Sequence, residues 1–290
     1  MIELRAIEDG TVEGAALDVY ESEPVGETSP LLNNPKIITT PHLGASTKEA
    51  QEGVALTVAE QIRDYLLTGE LRNAVNAPSL AASELEALQP HIELAERLGR
   101  FQKQVMKDQA ISEVTIEFSG DLADKDASPI TRAFLSGLLE SVSARVNVVN
   151  ALHISEERGI NITTSYKTEK SALSDLRTTV SNKDGVEQIA SGKVYADGEG
   201  RITQVGDFSI EALPKGHMLF SKNKDVPGVI GKIGTLLGEN GVNISRFYLG
   251  RNEKGGEALA VIELDSALND SVLELLKNVE PVISVKQVKL

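Results

Sequence analysis

The sequence predicts a chain of mixed α/β and α+β class, built in three successive parts. Three observations carry that expectation. Two short apolar strands in the first 40 residues are small or β-branched, the kind buried on both faces of a parallel sheet. In the middle third, helix starts come early and alternating strands come late. From residue 217 onward, strands and helices follow one another as βαββαβ.

In the first part, "GAALDVY" (14–20) and "PKIITT" (35–40) read as the two strands. Ser46 and Glu49 form an S-x-x-E capping pattern ahead of a helix. That helix carries Val54, Val58, Ile62 and Leu66 on one stripe, with Ala55 and Ala59 beside it, and stops at Gly69. Two strands and one helix do not enclose a core, so residues 1–76 read as the end of a larger α/β domain. A linker, "NAVNAPSLAAS" (73–83), follows.

The middle part spans 77–212. Asp126 or Ser128 is placed to cap a helix with Pro129 in its first turn, and Asn147 to cap another that ends near Gly159. Strands are expected at 112–118, 160–166, 174–181, 188–195 and 201–210. The last part, 213–290, begins with "HMLFS" (217–221). A helix bearing Val229, Ile230, Ile233, Leu236 and Leu237 ends at "ENG" (239–241). Strands "VNISRFYLG" and "EALAVIEL", a helix capped near Asn269 or Asp270, and strand "VISVKQV" complete a ferredoxin-like order.

Composition removes several functions. The chain has 290 residues, 41% hydrophobic and 25% charged, and a net charge of −14. Phosphate backbones and anionic membranes attract clustered cations, so neither nucleic acid nor a membrane surface is an expected partner. Zero cysteines exclude disulfides, thiolate nucleophiles and Cys-bound metals. Residues 1–15 hold five charged side chains and no apolar signal segment, and a cytoplasmic protein is the expectation.

The stretch with the most chemistry is "ITTPHLGASTKE" (38–49). His42 follows a strand end, where open α/β sheets place their ligand crevices. Nineteen residues earlier, "LDVYESEP" ends the other strand and offers Asp18, Glu21 and Glu23. A carboxylate bonded to an imidazole fixes its tautomer and raises its pKa, as acid–base catalysis requires. A solvent-facing His42 with no role fits the spacing as well. His91, His153 and His217 have no carboxylate or histidine at ligand spacing, and no metal site is expected. Lys167, Lys170, Arg177 and Lys183 read either as an anion cluster or as a solvated face.

"GAALDVYESEP" followed by "NPKIITTPHLGAST" resembles the D-2-hydroxyacid dehydrogenases, and within them the long-form branch that oxidises 3-phosphoglycerate with NAD at the entry to serine synthesis. The resemblance covers about the first 75 residues and implies a partial Rossmann-type segment. It implies that His42 exchanges the proton of the substrate hydroxyl and that Glu23 orients His42. It also implies that Asp18 borders the nicotinamide, with Gly44 and Ala45 against the cofactor. The family's Gly-rich fingerprint and catalytic arginine have no counterpart here, and Arg5 has no claim to that role. The expectation is therefore a C-terminal part, from a truncated or split gene, that alone binds no NAD and is inactive. A separate N-terminal dehydrogenase chain is a possible partner.

"NKDVPGVIGKIG" followed by "GVNIS" resembles the ACT domain, a small regulatory module that senses amino acids. Helix-start N–H groups at Gly228 and Val229 suit a carboxylate, Asp225 an ammonium group, and Asn223 and Asn243 a hydroxyl or carboxylate. The resemblance implies a homo-oligomer paired through this domain, with L-serine as effector. The plainer reading makes Asp225 an N-cap and Asn243 a residue bonded to its own backbone. The middle part resembles the intervening domain of the same long-form enzymes. Two functions from different classes stand side by side: a dehydrogenase part, and a stand-alone amino-acid-binding regulatory fragment without activity. A serine dehydratase part with a similar middle domain is disfavoured, because that chemistry uses a Cys-held cluster.

Overall fold

A computed structural model of the chain describes residues 2–68, 72–75, 82–106, 109–140, 146–169 and 175–290. It divides into two compact units, Met1–Asn73 and Ala74–Leu290.

The first unit holds α1 (Ile2–Glu8), β1 (Ala15–Leu17), β2 (Ile37–Thr39) and α2 (Lys48–Thr68). The two strands pair in parallel, with Ala15 opposite Ile37 and Leu17 opposite Thr39, as their apolar runs predict. The capping pattern is displaced by one residue. Thr47, not Ser46, is the cap, its hydroxyl oxygen accepting the Ala50 N–H at 3.2 Å, so the Ser46/Glu49 box does not form. The predicted stop at Gly69 and residues 76–81 of the linker lie outside the described residues. The apolar stripe of α2 meets no cover: the helix buries no side chain, and Leu66 is 75% exposed. On β2, Ile38 is 70% exposed, and Ile7 is the one buried apolar side chain among the unit's described residues. Parallel strands are stable when both faces are covered. This unit is thus a partial layer of an α/β domain.

The second unit opens with α3 (Ala82–Met106), a helix with Pro90 inside it for which the sequence analysis makes no assignment. It continues through β3 (Ile111–Ser119), α4 (Ser128–Leu139), α5 (Ala151–Glu157), β4 (Asn161–Lys167), β5 (Leu176–Asn182), β6 (Glu187–Val194), β7 (Gly200–Val205) and β8 (Phe208–Ala212). These strands form one sheet in the order β4-β3-β5-β6-β7-β8, with only the β3–β4 pair parallel. The single strand expected over 201–210 is a hairpin, turned at Gly206 with φ +55°. Neither Asp126 nor Ser128 is the cap of α4: Ala127 precedes the helix without a side-chain cap, and Asp126, one residue earlier, accepts the Ser128 N–H at 2.9 Å.

The chain then runs through β9 (His217–Lys224), α6 (Val229–Glu239), β10 (Ile244–Arg251), β11 (Glu257–Leu264), α7 (Asp270–Lys277) and β12 (Val282–Lys289). The antiparallel sheet has the order β10-β11-β9-β12, the ferredoxin-like arrangement that the pattern predicts. Asn269 caps α7 by accepting the Val272 N–H at 2.9 Å, and Gly241, at φ +71°, follows α6 where a left-handed residue closes the helix. One face of this sheet packs Leu219 and Ile262 under α6 and α7. The other face joins the core of the preceding sheet. Phe220 of β9 lies 4.7 Å from Phe101 of α3, and the Gln104 amide bonds both the N–H and the C=O of Lys289 at 2.8 Å. The two sides of residue 212 therefore share one core. Among the described residues no helix is long and apolar enough to cross a membrane.

Candidate active site and effector site

The C-terminal ends of β1 and β2 carry the first site. Each strand ends, the chain turns, and side chains from both ends converge. Glu23 and His42 meet there: the imidazole Nδ1 lies 2.8 Å from Glu23 Oε2. The other carboxylate oxygen, Oε1, accepts the Tyr20 N–H at 2.9 Å, which holds Glu23 in place. The hydrogen bond from His42, then that from Tyr20, keeps the Glu23 carboxyl below its usual range, although the group is open to solvent. The same bond, and then the Glu23 charge, raises the His42 pKa. Pairing thus stabilises the ionised carboxylate and the imidazolium together.

Asp18 points into the turn after β2. Its Oδ1 accepts the Thr40 hydroxyl at 2.5 Å and the Leu43 N–H at 2.7 Å, and its Oδ2 accepts the Gly44 N–H at 2.8 Å. The Thr40 bond, followed by the Leu43 bond, lowers the Asp18 pKa. His42 itself has φ +55°, the left-handed region that side chains other than glycine seldom adopt. Ala45 is exposed in the same loop. A cavity of about 320 Å³ opens here, lined by Tyr20, Glu23, Leu32, Thr40 and His42 among others. Sequence reading missed two contributors. The Tyr20 hydroxyl donates to the Thr40 carbonyl at 2.8 Å and ties the strand ends together, and Thr40 donates to Asp18. Their signal was polar residues placed beside the strand ends in "LDVY" and "ITT".

The second site lies where β9 meets α6. Gly228 is the residue before the helix, at φ +92°, and no side chain caps the helix start at Val229. Asp225 is therefore not an N-cap. Its Oδ2 accepts the Gly255 N–H at 3.1 Å and lies 3.5 Å from the Arg251 guanidinium. Asn223 is buried on β9. Its amide donates to the Lys224 carbonyl at 2.8 Å, and its Oδ1 has no hydrogen-bond partner, nor has the buried Ser221 hydroxyl two residues earlier. Asn243 donates to the Asp265 carboxylate at 2.7 Å rather than to its own backbone. Among the described residues no hydrogen bond joins Asn243 to Asn223 or Asp225. Arg251 and Asp265 were not anticipated, because each reaches its partner from a part of the sheet distant in sequence, and Ser221, two residues before Asn223 on the same strand, was passed over.

Of the remaining cationic candidates, Lys167 pairs with Glu117 at 2.6 Å, which compensates its charge, whereas Arg177 donates to the neutral Gln204 amide at 2.9 Å; Lys170 lies outside the described residues. His91 and His153 do have carboxylate neighbours, Asp175 at 3.5 Å and Glu157 at 3.4 Å, contrary to expectation. The second pair is spaced i,i+4 on α5, which sequence reading overlooked. No group of three or more His, Asp or Glu side chains among the described residues is arranged to hold a metal.

Comparison with known proteins gives the context of both sites. Residues 4–44 match the D-isomer specific 2-hydroxyacid dehydrogenase, NAD binding domain; residues 87–206 match the D-3-phosphoglycerate dehydrogenase intervening domain; residues 217–281 match the ACT domain. The D-3-phosphoglycerate dehydrogenase of Bacillus subtilis is 36% identical over 289 residues, covering 99% of this chain and 54% of that protein. The one from Synechocystis is 42% identical over 290 residues, covering 98% and 51%, and that of Archaeoglobus fulgidus is 37% identical, covering 98% and 54%. The chain spans about half the length of the curated relatives it matches. With a partial NAD-binding segment, an intervening domain and an ACT domain in succession, the chain is homologous to D-3-phosphoglycerate dehydrogenases along nearly its whole length and over about half of theirs.

Proposed function

We propose that these residues serve the NAD-dependent oxidation of 3-phosphoglycerate, with His42 as the acid–base and Glu23 as its partner. The observation that carries this reading is the 2.8 Å contact between them at the ends of two parallel strands. His42 takes the hydroxyl proton of the substrate, and Glu23 stabilises the imidazolium that results. NAD supplies the hydride acceptor when bound. Asp18 has about four lone-pair positions, of which three are filled, leaving one on Oδ2 to face the nicotinamide end; Gly44 and Ala45 line the same edge. The glycine-rich loop that holds the pyrophosphate is absent from these 290 residues. They are therefore expected to bind no NADH alone. Joined to the remaining half of the Synechocystis relative, they are expected to form NADH when given 3-phosphoglycerate. A soluble joined protein with no such activity would refute the reading.

The site at β9 and α6 is proposed to bind L-serine between paired copies of this domain. The unpartnered Asn223 Oδ1 and the uncapped start of α6 support it, since they leave an acceptor and a set of N–H donors for a zwitterion. Calorimetry on the 290-residue chain is expected to give binding heat with L-serine. Melting should rise by the equivalent of about 2.7 kcal/mol at a hundredfold excess over Kd. Asn243→Ala should weaken both responses. No heat and no shift with the unaltered chain would exclude the site.

A further inference from the structure

The turn that presents His42 is held from one point. Thr40, two residues before His42, and Leu43 and Gly44, the two after it, all donate to the single carboxylate of Asp18, at 2.5, 2.7 and 2.8 Å. Successive backbone N–H groups beside a left-handed residue make a small concave donor set that suits an anion. The φ of +55° at His42 is a conformation a non-glycine residue holds only where its surroundings fix it, and the three bonds to Asp18 flank it on both sides. Position 44 matters for the same reason. A Cβ there would stand 3.3 Å from Asp18 Oδ2, so glycine leaves room for the carboxylate. Tyr20 closes the arrangement from behind, its hydroxyl on the Thr40 carbonyl and its N–H on Glu23.

We propose that Asp18 is a positioning residue for His42: by gathering the Thr40 hydroxyl and the Leu43 and Gly44 N–H groups, it sets the turn that delivers the imidazole to Glu23. This rests on the reading of His42 and Glu23 as the acid–base pair, and adds a role to Asp18 besides facing the cofactor. Relaxation of His42 to negative φ redirects its side chain and separates it from Glu23. The pair then depends on a third residue that never touches Glu23.

The test is a double-mutant cycle read by NMR titration of the His42 ring in the full 290-residue chain, with His42→Gln identifying its signal among the four histidines. In the unaltered background, Glu23→Gln is expected to move the His42 midpoint down, because it removes the bond and charge that raise it. In the Asp18→Asn background, Glu23→Gln is expected to have little further effect, because the contact is already lost. Asp18 also acts on His42 through its charge, but a purely electrostatic role leaves the Glu23→Gln shift the same size in both backgrounds, and that result overturns the proposal. Thr40→Val keeps the Asp18 charge and removes one donor. It should shrink the Glu23→Gln shift, and Thr40→Ser should restore it; a full shift in Thr40→Val counts against the proposal even if Asp18→Asn does not fold. If Glu23→Gln has no effect in the unaltered chain, the acid–base pair itself fails and this role falls with it.

Discussion

Gly137→Ala is expected to destabilise the second unit by about 3 kcal/mol or more, although alanine is the better helix former. On propensity alone the change should stabilise α4 by about 1 kcal/mol. Contact geometry reverses the sign. A Cβ on Gly137 would lie 2.0 Å from the Glu96 carbonyl oxygen and 3.1 Å from the Arg100 nitrogen, both backbone atoms of α3. The crossing is reciprocal, since a Cβ on Gly99 would lie 2.1 Å from the Phe134 carbonyl oxygen. The two helices touch backbone to backbone, so neither can yield without separating Leu98, Phe101, Phe134 and Leu138, all fully buried. For a unit of this size the melting temperature should fall by roughly 6–12 °C. Gly231→Ala is the control. No atom lies within 4 Å of its added Cβ on α6, and a gain of up to about 1 kcal/mol is expected there. Thermal melts followed by circular dichroism compare the two.

His42→Gln in the joined enzyme is expected to lower kcat for 3-phosphoglycerate oxidation by about 10²–10⁴-fold. Glutamine fills similar space but cannot take the hydroxyl proton. Oxidation needs the neutral imidazole, so the rate should rise as pH passes upward through the His42 midpoint. That midpoint is raised by the bond to Glu23 and then by its charge. Glu23→Gln removes both and should shift the acid limb of the pH–rate profile to lower pH, while lowering its plateau through lost orientation. The pair's contribution to stability has a matching window. The share that comes from the raised His42 pKa is lost as pH rises through the folded-state value, and the share from the depressed Glu23 pKa is lost as pH falls through its own. A profile of Glu23→Gln superimposable on the unaltered enzyme would remove Glu23 from the account.

Legibility in the sequence followed periodicity. The βαββαβ half was readable because its strands alternate and its helices carry clear stops, such as Gly241 after α6 and Asn269 before α7. Helix α3, in which Pro90 interrupts a pattern that tertiary packing of Leu94, Leu98 and Phe101 restores, was not assigned. The β7–β8 turn was hidden because Gly206 and Asp207 sit between apolar runs that read as one strand. At the candidate active site, the His42–Glu23 contact was legible from residue types at two strand ends. The loop-holding role of Asp18 was not, because it depends on the direction of backbone N–H groups at Leu43 and Gly44, which residue type does not encode. At the candidate effector site, Asn223 and Asp225 were legible as polar residues beside a helix start. Arg251 reaches Asp225, and Asp265 reaches Asn243, through sheet register.

The most direct test joins both halves of the account in one measurement. The chain, joined to the remaining half of the Synechocystis relative, is assayed for NADH formation from 3-phosphoglycerate across a series of L-serine concentrations. The account requires activity that His42→Gln abolishes, that falls as L-serine rises, and that Asn243→Ala renders less sensitive to L-serine. Activity that survives His42→Gln, or that L-serine leaves unchanged at every concentration, would contradict it.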